Sequence, residues 1–243
     1  MSSELGDMVI DMFHAAQRCE IDGRVPEVEA RFRLGPLKCL DQASLDGLMG
    51  ILCSSHALQE TPYLEVKDVY SSTKGTGDLW IRTRMLPDTS RVMLDAPGAP
   101  SIVKKRMKTV LLAGRLCCAK IQLCEEIPYH FADVSTAQIP KKVRIKKRKQ
   151  FKHTSSSSGA QWCYEASMVF ENSSNLQAER LLKEGQVSSY ELELEFCSAA
   201  CGHEPAYLAD SLLRKVQQVL SLIDEHYEEW AARIAKDAEP EGI

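Results

Sequence analysis

The chain of 243 residues is long enough for one large domain, and 44% of its residues are hydrophobic, which suffices for a sizeable core. Its net charge is −4, so the chain lacks the overall positive charge that is typical of nucleic-acid-binding proteins. The nine cysteines form no CxxC pair, so we expect buried thiols in a reducing compartment rather than a zinc site. No apolar run approaches the roughly 20 residues that cross a bilayer, and the N-terminus does not read as a signal peptide. We therefore expect a soluble, intracellular protein without membrane contact.

Helical spacing of apolar residues predicts a helix near each end of the chain. The first covers about residues 4–18, and the last covers about residues 204–236 and is the longest helical pattern. A further helix is predicted from Asp41, which can cap it, to about Leu58. We expect residues 1–236 to form a single domain and the acidic tail 237–243 to be disordered.

Alternating polar and apolar residues predict strands between these helices. In chain order they are Glu27–Leu34, Tyr63–Tyr70, Leu79–Met85, Ser101–Thr109, Arg115–Ile127, Lys142–Phe151, Trp162–Phe170 and Ser188–Cys197. Turn-rich stretches separate the strands, among them Asn172–Gln186. The pattern predicts a mainly β (α+β) domain, a closed eight-stranded antiparallel β-barrel with flanking helices.

Two of the predicted strands carry glutamates along one face. Glu191, Glu193 and Glu195 alternate with apolar residues, and Glu27 and Glu29 repeat the arrangement. Like charges on one face of a strand repel each other, and glutamate is a poor strand former. A divalent cation would remove the repulsion, and ligation by oxygen alone suits magnesium or manganese. The two strands therefore indicate a metal site.

Other predicted strands carry positive charge along one face. The groups are Arg144, Lys146 and Arg148; Lys104, Arg106 and Lys108; and Arg82 with Arg84. If these faces point outward, the barrel is ordinary. If they point inward, the interior holds buried charges of both signs, which is costly unless a ligand such as a metal and a polyphosphate organises them. The pattern alone leaves the two arrangements open.

The order of these motifs resembles that of the triphosphate tunnel metalloenzymes, and within them the metal-dependent RNA 5'-triphosphatases that begin mRNA capping in fungi and protozoa. No single motif is specific, but their order is. The motifs run Glu27–Arg31, Ile102–Arg106, Lys120–Glu126, Arg144–Arg148, Trp162–Ser167 and Glu191–Glu195. The resemblance covers most of the chain and implies an eight-stranded tunnel whose polar faces point inward.

The resemblance also implies a role for each polar residue. The expected metal group is Glu27, Glu29 and Glu195 with Glu193 beside them, supported by Arg31 and Glu191. The expected γ-phosphate clamp is Lys146 and Arg148, and further phosphate contacts come from Arg82, Lys104, Lys120 and Arg144. Glu126 would orient or activate the attacking water, and Glu165 would brace the tunnel floor.

The implied reaction is hydrolysis of the β–γ phosphoanhydride at the triphosphate 5' end of pre-mRNA, with Mg²⁺ or Mn²⁺ as cofactor. Nucleoside triphosphates are expected as further substrates with manganese. A guanylyltransferase is a possible partner, the expected location is the nucleus, and either a monomer or a homodimer fits the sequence.

Some assignments stay open. A register shift of one would exchange Glu126 for Glu125, and Arg84 could replace Arg82. The family usually has arginine where Cys163 stands, so one phosphate or bracing contact is in question.

Two alternatives compete with the capping hypothesis. The first keeps the fold but assigns tripolyphosphate or another small triphosphate as substrate. About 26 residues precede Glu27 here, whereas the related enzymes for small triphosphates often begin almost at once with ExExK. The second treats the basic run Lys141–Lys149 as an RNA-binding patch or a nuclear-localisation signal.

Overall fold

The computed structural model describes residues 3–34, 41–56, 58–60, 64–72, 80–85, 101–115, 117–128, 140–156 and 158–238. The described helices are α1 (Ser3–Ile21), α2 (Gln42–His56), α3 (Asn175–Lys183) and α4 (Pro205–Ala238). The described strands are β1 (Val25–Leu34), β2 (Gln59–Glu60), β3 (Leu64–Ser72), β4 (Trp80–Met85), β5 (Ser101–Ala113), β6 (Cys117–Pro128), β7 (Pro140–Thr154), β8 (Gln161–Asn172) and β9 (Ser189–Phe196). Residues 239–243 of the predicted tail lie outside the described residues, and α4 includes 237 and 238.

Eight of these strands form a closed antiparallel barrel. Their order around it is β7-β3-β4-β5-β6-β1-β9-β8, and β8 pairs back with β7 to close the ring. The short β2 pairs with β7 next to the start of β3. The prediction of a closed eight-stranded antiparallel barrel with flanking helices is confirmed.

The main hydrophobic core lies outside the barrel wall, between the strands and the helices. The apolar outer faces of β1, β6, β8 and β9 pack against α1, α2 and α4 in one cluster. Phe13 of α1, for example, contacts Phe196 of β9 edge to face, with ring centroids 5.6 Å apart. Because the apolar residues of these strands face the helices, the alternating polar residues must face the barrel interior.

Helix α2 begins as its sequence predicts. The Asp41 carboxylate accepts a hydrogen bond from the backbone N–H of Ser44 at 2.7 Å. This side chain therefore caps one of the N–H groups that the first turn of a helix leaves without a backbone partner.

No described helix is long and apolar enough to cross a membrane.

The prediction of a turn-rich stretch at Asn172–Gln186 was wrong, because this segment contains α3. Its apolar residues are few and close together, so the helical period is weak in the sequence. The helix ends before Gly185, whose positive φ of 68° favours glycine. Ala178 of α3 packs on Val143 and Ile145 of β7, and this second small cluster covers the outer face of β7 and the end of β8.

The expectation that Lys104, Arg106 and Lys108 share a face was also wrong. A β-bulge interrupts the pairing of β5 with β6 between Arg106 and Lys108. The extra residue reverses the alternation, so Lys108 points toward α1, where its Nζ lies 3.6 Å from the Asp11 carboxylate. Only Lys104 of this basic group lines the cavity that is described below.

Candidate active site

The inner faces of the strands converge on a cavity of about 400 Å³ inside the barrel. The described lining consists of seven basic residues, seven acidic residues, Tyr70 and Gln150. The basic residues are Arg31, Arg82, Arg84, Lys104, Arg144, Lys146 and Arg148, and the acidic residues are Glu27, Glu29, Asp68, Glu126, Glu165, Glu193 and Glu195. The inward arrangement, which the alternation alone left open, is the one that the structure has. The formal charges of this lining cancel in sum, so its chemistry depends on how they are paired.

Carboxylates face each other across β1 and β9. The register places Glu29 directly opposite Glu195 and places Arg31 opposite Glu193. Arg31 contacts carboxylates on both strands, since its Nε lies 2.9 Å from Glu29 and 3.1 Å from Glu193. Like charges directly opposite each other destabilise a pair of strands. Glu29 and Glu195 therefore form a site where negative charge is concentrated.

The pKa values of Glu29 and Glu195 are raised first by burial and then by a neighbouring carboxylate. Burial raises the pKa of Glu195 to about 8, and the nearby Glu27 carboxylate contributes in the same direction. Burial and Glu27 also raise the pKa of Glu29. The Lys104 ammonium, which contacts Glu27, is the largest opposing influence on both groups. Lys104 and Arg31 supply two positive charges against the three carboxylates of Glu27, Glu29 and Glu195.

The carboxylates fit a divalent cation in charge and in donor type. They supply oxygen ligands, which hard ions such as Mg²⁺ and Mn²⁺ prefer, and burial together with neighbouring carboxylates raises the pKa values of Glu29 and Glu195. Within the described part of the chain, no three acidic, cysteine or histidine side chains are already drawn together as a ligand set. Ligation would therefore require these side chains to move toward the ion and Lys104 to move away from Glu27.

Basic side chains of β7 line another part of the wall, and each is held by a carboxylate. The Lys146 Nζ lies 3.0 Å from Glu191 and 3.6 Å from Glu193. Arg148 donates to Glu165 at 2.8 Å, and Arg144 donates to Glu191. Burial alone would lower the pKa of Lys146, but Glu193 and Glu191 raise it, so this buried lysine is charged.

Strand β4 adds two arginines to the cavity. Arg82 donates to Glu126 at 3.2 Å, and Arg84 donates to Asp68 at 3.0 Å. Burial would raise the pKa of Asp68, but Arg84 lowers it below its usual value. Both arginines line the cavity, so the two are not alternatives to each other.

Glu126 faces the cavity and Glu125 does not. Glu126 contacts Arg82 and lies 3.6 Å from the Lys104 Nζ. Glu125 is buried on the other side of β6 and accepts a hydrogen bond from Arg24 at 3.3 Å. The register that the sequence favoured is the register of the structure.

Two of the expected site residues are not among the described residues that line the cavity. Glu191 shares the inner face of β9 with Glu193 and Glu195, and it contacts Arg144 and Lys146 of the cavity lining. Lys120 lies opposite Arg31 and Leu111, near the end of the β5–β6 hairpin. It shares the inner side of β6 with Glu126 but lies six residues before it, near the turn of the hairpin. Strand alternation predicts the face on which a residue lies, but not its height in the barrel.

Three lining residues had no role in the site that the sequence predicted: Asp68, Tyr70 and Gln150. Gln150 follows Arg148 at strand period, so extending that alternation by one step would have found it. Asp68 and Tyr70 lie on β3, a strand whose sequence carries no repeated charge.

No family model matches the chain, and no curated protein matches it. Solved structures do match: the fold is that of RNA triphosphatases, and the resemblance to triphosphate tunnel enzymes is confirmed at the level of the fold.

The S. pombe Pct1 RNA triphosphatase is 14% identical, with 97% of this chain and 92% of that chain covered and a TM-score of 0.54. A second structure of Pct1, in complex with the Spt5 CTD, gives a TM-score of 0.53 at 13% identity and covers 94% of this chain and 92% of that one. The mimivirus capping enzyme triphosphatase is 13% identical, with 90% of this chain and 99% of that chain covered and a TM-score of 0.54.

Proposed function

We propose that this protein is a metal-dependent RNA 5'-triphosphatase that hydrolyses the β–γ phosphoanhydride of a triphosphate-ended RNA, the first step of cap formation. The observation that carries the proposal is the cavity itself. Seven basic and seven acidic side chains line one enclosed space. Such a space suits a ligand that combines a cation with a polyanion, because only such a ligand complements both kinds of wall.

Glu27, Glu29 and Glu195, with Glu193 beside them, would hold the Mg²⁺ or Mn²⁺ ion. Their oxygen donors and the raised pKa values of Glu29 and Glu195 support this assignment. When bound, the ion would act as a Lewis acid that neutralises charge on the phosphate oxygens.

Lys146 and Arg148 would bind the γ-phosphate, and Arg82, Lys104 and Arg144 would bind along the rest of the triphosphate. Glu165 and Glu191 fix the directions of Arg148, Lys146 and Arg144 through the ion pairs described above. Positioned cations stabilise the negative charge that develops in phosphoryl transfer without having to reorganise. A bound triphosphate would compete with these carboxylates for the same donors.

Glu126 would position the attacking water. Its carboxylate contacts Arg82 and Lys104, which are both assigned to the phosphates. A water molecule that donates to Glu126 would therefore lie beside the phosphate, where the carboxylate can orient it and accept its proton. In-line attack then releases inorganic phosphate and leaves a diphosphate end.

The direct test is Glu29→Ala, with the outward Glu65→Ala on β3 as the matched control. We expect Glu29→Ala to keep its fold, as judged by circular dichroism, and to lose metal-dependent phosphate release from γ-labelled triphosphate RNA. Glu65 pairs with Lys147 on the outer side of the barrel, so its variant should behave as wild type. Activity near the wild-type level in Glu29→Ala would refute the proposal.

The alternative function keeps the site but changes the substrate to tripolyphosphate or another small triphosphate. The polyphosphate chemistry of the cavity suits both substrate classes. Turnover of triphosphate RNA, tripolyphosphate and ATP by the same preparation separates them, and ATP turnover with manganese tests the further nucleoside triphosphatase activity. Preference for tripolyphosphate over RNA would move the protein to the alternative class.

The proposed reaction also implies a setting. The diphosphate RNA end that it produces is the acceptor for a guanylyltransferase, which we propose as the functional partner, and we propose the nucleus as its location.

The main alternative explanation of the basic run Lys141–Lys149 is an RNA-binding patch. Against it, Val143 and Ile145 of this run are buried, and Lys149 is paired with Glu60 at 3.0 Å.

A further inference from the structure

Cys163 lies on the inner side of β8, at the acidic end of the cavity. It stands directly opposite Glu195 on β9 and directly opposite Lys152 on β7. The side chain is buried, and its thiol is free. No role in the proposed hydrolysis requires a thiol at this position, so Cys163 needs a separate explanation.

Cys197 is the first residue after β9 and lies diagonally across from Cys163. Its backbone N–H donates to the carbonyl oxygen of Gln161 at 2.9 Å, which continues the register in which Cys163 faces Glu195. Residues two apart on a strand point to the same side, so both thiols are on the inner side. Each thiol donates to a nearby backbone oxygen at 3.7 Å, Cys163 to Tyr164 and Cys197 to Glu195. The two side chains also interact with each other, since each shifts the pKa of the other. Cys197 is exposed, and so an oxidant can reach one member of the pair.

We propose that Cys163 and Cys197 form an oxidisable dithiol that a peroxide closes to a disulfide at this end of the tunnel. The peroxide first oxidises one thiol of the pair to a sulfenic acid and releases one water. The other sulfur then attacks the oxidised sulfur and expels a second water. The two thiols lose two hydrogens and two electrons, which reduce the peroxide to two molecules of water.

The backbone around the pair permits this bond. A diagonal pair on neighbouring strands is further apart than a directly opposite pair, so the backbone at the strand end must shift to bring the two sulfurs to bonding distance. Cys197 follows the last residue of β9, where the pairing with β8 ends, and a residue at a strand end can shift with little loss of sheet hydrogen bonds. Among the described cysteines, Cys201 is also exposed, and its thiol donates to the backbone oxygen of Gln17 at 3.4 Å.

The disulfide would change the metal group of the proposed function. It fixes the Cys163 side chain beside Glu195 and ties the end of β9 to β8. Glu195 then cannot move toward a cation as freely as in the reduced protein. We expect the oxidised protein to lose metal-dependent hydrolysis until a thiol reductant restores it. This consequence rests on the proposed function, whereas formation of the disulfide does not.

The test uses the full chain, hydrogen peroxide and intact-mass measurement. The wild type should lose two hydrogens and yield one linked pair of peptides that contain Cys163 and Cys197. Cys197→Ser should not lose them, whereas the control Cys201→Ser should behave as wild type. Absence of this bond, or a bond between other cysteines, overturns the proposal.

Phosphate release measured on the same samples tests the consequence. Wild-type turnover should fall by about tenfold or more on oxidation, because displacement of a catalytic group by about 1 Å can cost this much. It should recover with dithiothreitol, and Cys197→Ser should stay active in peroxide. Unchanged turnover in the fully linked protein refutes the switch. If the reduced wild type hydrolyses no triphosphate at all, the proposed function fails while the dithiol site stands.

Discussion

The basic and acidic parts of the tunnel wall hold their charges in different ways. On β7, the clamp residues are paired with carboxylates: Lys146 with Glu191, and Arg148 with Glu165. On β1 and β9, Glu29 faces Glu195. Arg31 contacts Glu29 and Lys104 contacts Glu27, but Glu195 forms no ion pair with a described residue. The described part of the protein therefore supplies carboxylate partners for the cations of β7 but leaves the buried Glu195 without an ion-pair partner.

This difference indicates what each part of the wall can do. A buried cation that already has a carboxylate partner keeps its charge and its direction, so it is preorganised to receive a phosphate oxygen. Buried carboxylates without enough counter-charge bind protons instead, and a divalent cation would displace those protons. Substitutions in each part of the wall therefore test these two roles separately.

The largest effect is expected on the basic wall, from Lys146→Met. Lys146 is 6% exposed, and methionine keeps most of its volume while it removes the charge. Loss of one preorganised charge contact in a phosphoryl-transfer site costs about 100- to 1,000-fold in kcat. Single-turnover phosphate release from triphosphate RNA measures the change, and a melting curve checks that the variant is folded.

Lys147→Met is the matched control for Lys146→Met. Lys147 is the next residue and points to the outer side, opposite Glu65 and Met168. It should leave turnover unchanged. A variant that lacks both Lys147 and Lys149 also tests the RNA-patch alternative: if it still hydrolyses but loses RNA binding, the outer face contributes a patch of its own.

The second-largest effect is expected from Glu126→Gln, for which Glu125→Gln is the matched control. Glutamine keeps the shape of the side chain but cannot accept the proton of the attacking water. We expect kcat to fall about 100-fold for Glu126→Gln and to stay unchanged for Glu125→Gln. The opposite result would mean that β6 is shifted by one residue relative to its neighbours.

Most of this site could be predicted because the sequence carries a strict two-residue period. Glu191, Glu193 and Glu195 recur at that period among leucines, and a run of this kind identifies the strand and the members of one face together. The resemblance to tunnel enzymes then indicated that this face points inward. Local alternation says only which residues share a face, so the direction depends on α1, α2 and α4 covering the other one.

The errors arose where a single residue changes the pattern or where a strand lacks one. The bulge after Arg106 turns Lys108 outward, and one inserted residue leaves no clear trace in the composition. Asp68 and Tyr70 were missed because their strand has only one acidic and one aromatic residue on its inner side. Lys120 was included because alternation gives the face of a residue but not its height in the barrel.

A smaller effect is expected from Tyr70→Ala, which extends the comparison to the end of the basic wall. Tyr70 lies in register between Arg82 and Lys142, four residues beyond Lys146 along β7. At about 3.3 Å per residue this is about 13 Å from the clamp, further than the triphosphate alone extends, so the ring can meet the first nucleoside. Loss of base stacking should reduce kcat/KM for triphosphate RNA about tenfold and leave tripolyphosphate turnover unchanged.

Tyr70→Phe separates the ring from its hydroxyl group, which interacts with Arg144. If stacking is the role of Tyr70, phenylalanine should retain the preference for RNA over tripolyphosphate. A loss of turnover on both substrates in Tyr70→Phe would instead assign the residue to the positioning of Arg144.

The smallest effect is a dependence of stability on pH that originates in the acidic wall. The pKa of Glu195 is about 8 in the folded protein and 4.5 as an unperturbed side chain. Below pH 4.5 both states hold this proton. Between these two values the folded state holds more protons than the unfolded state, so the stability of the metal-free protein falls as the pH rises and the loss is complete above about pH 8. Glu29 acts in the same direction.

We expect the melting temperature to be a few degrees lower at about pH 8 than at about pH 6. Added Mg²⁺ or Mn²⁺ should raise it more at the higher pH, because the ion has fewer protons to displace there. Glu195→Gln should flatten the pH dependence and weaken the metal effect. An equal metal effect at both pH values in the wild type would show that the ion binds away from these carboxylates.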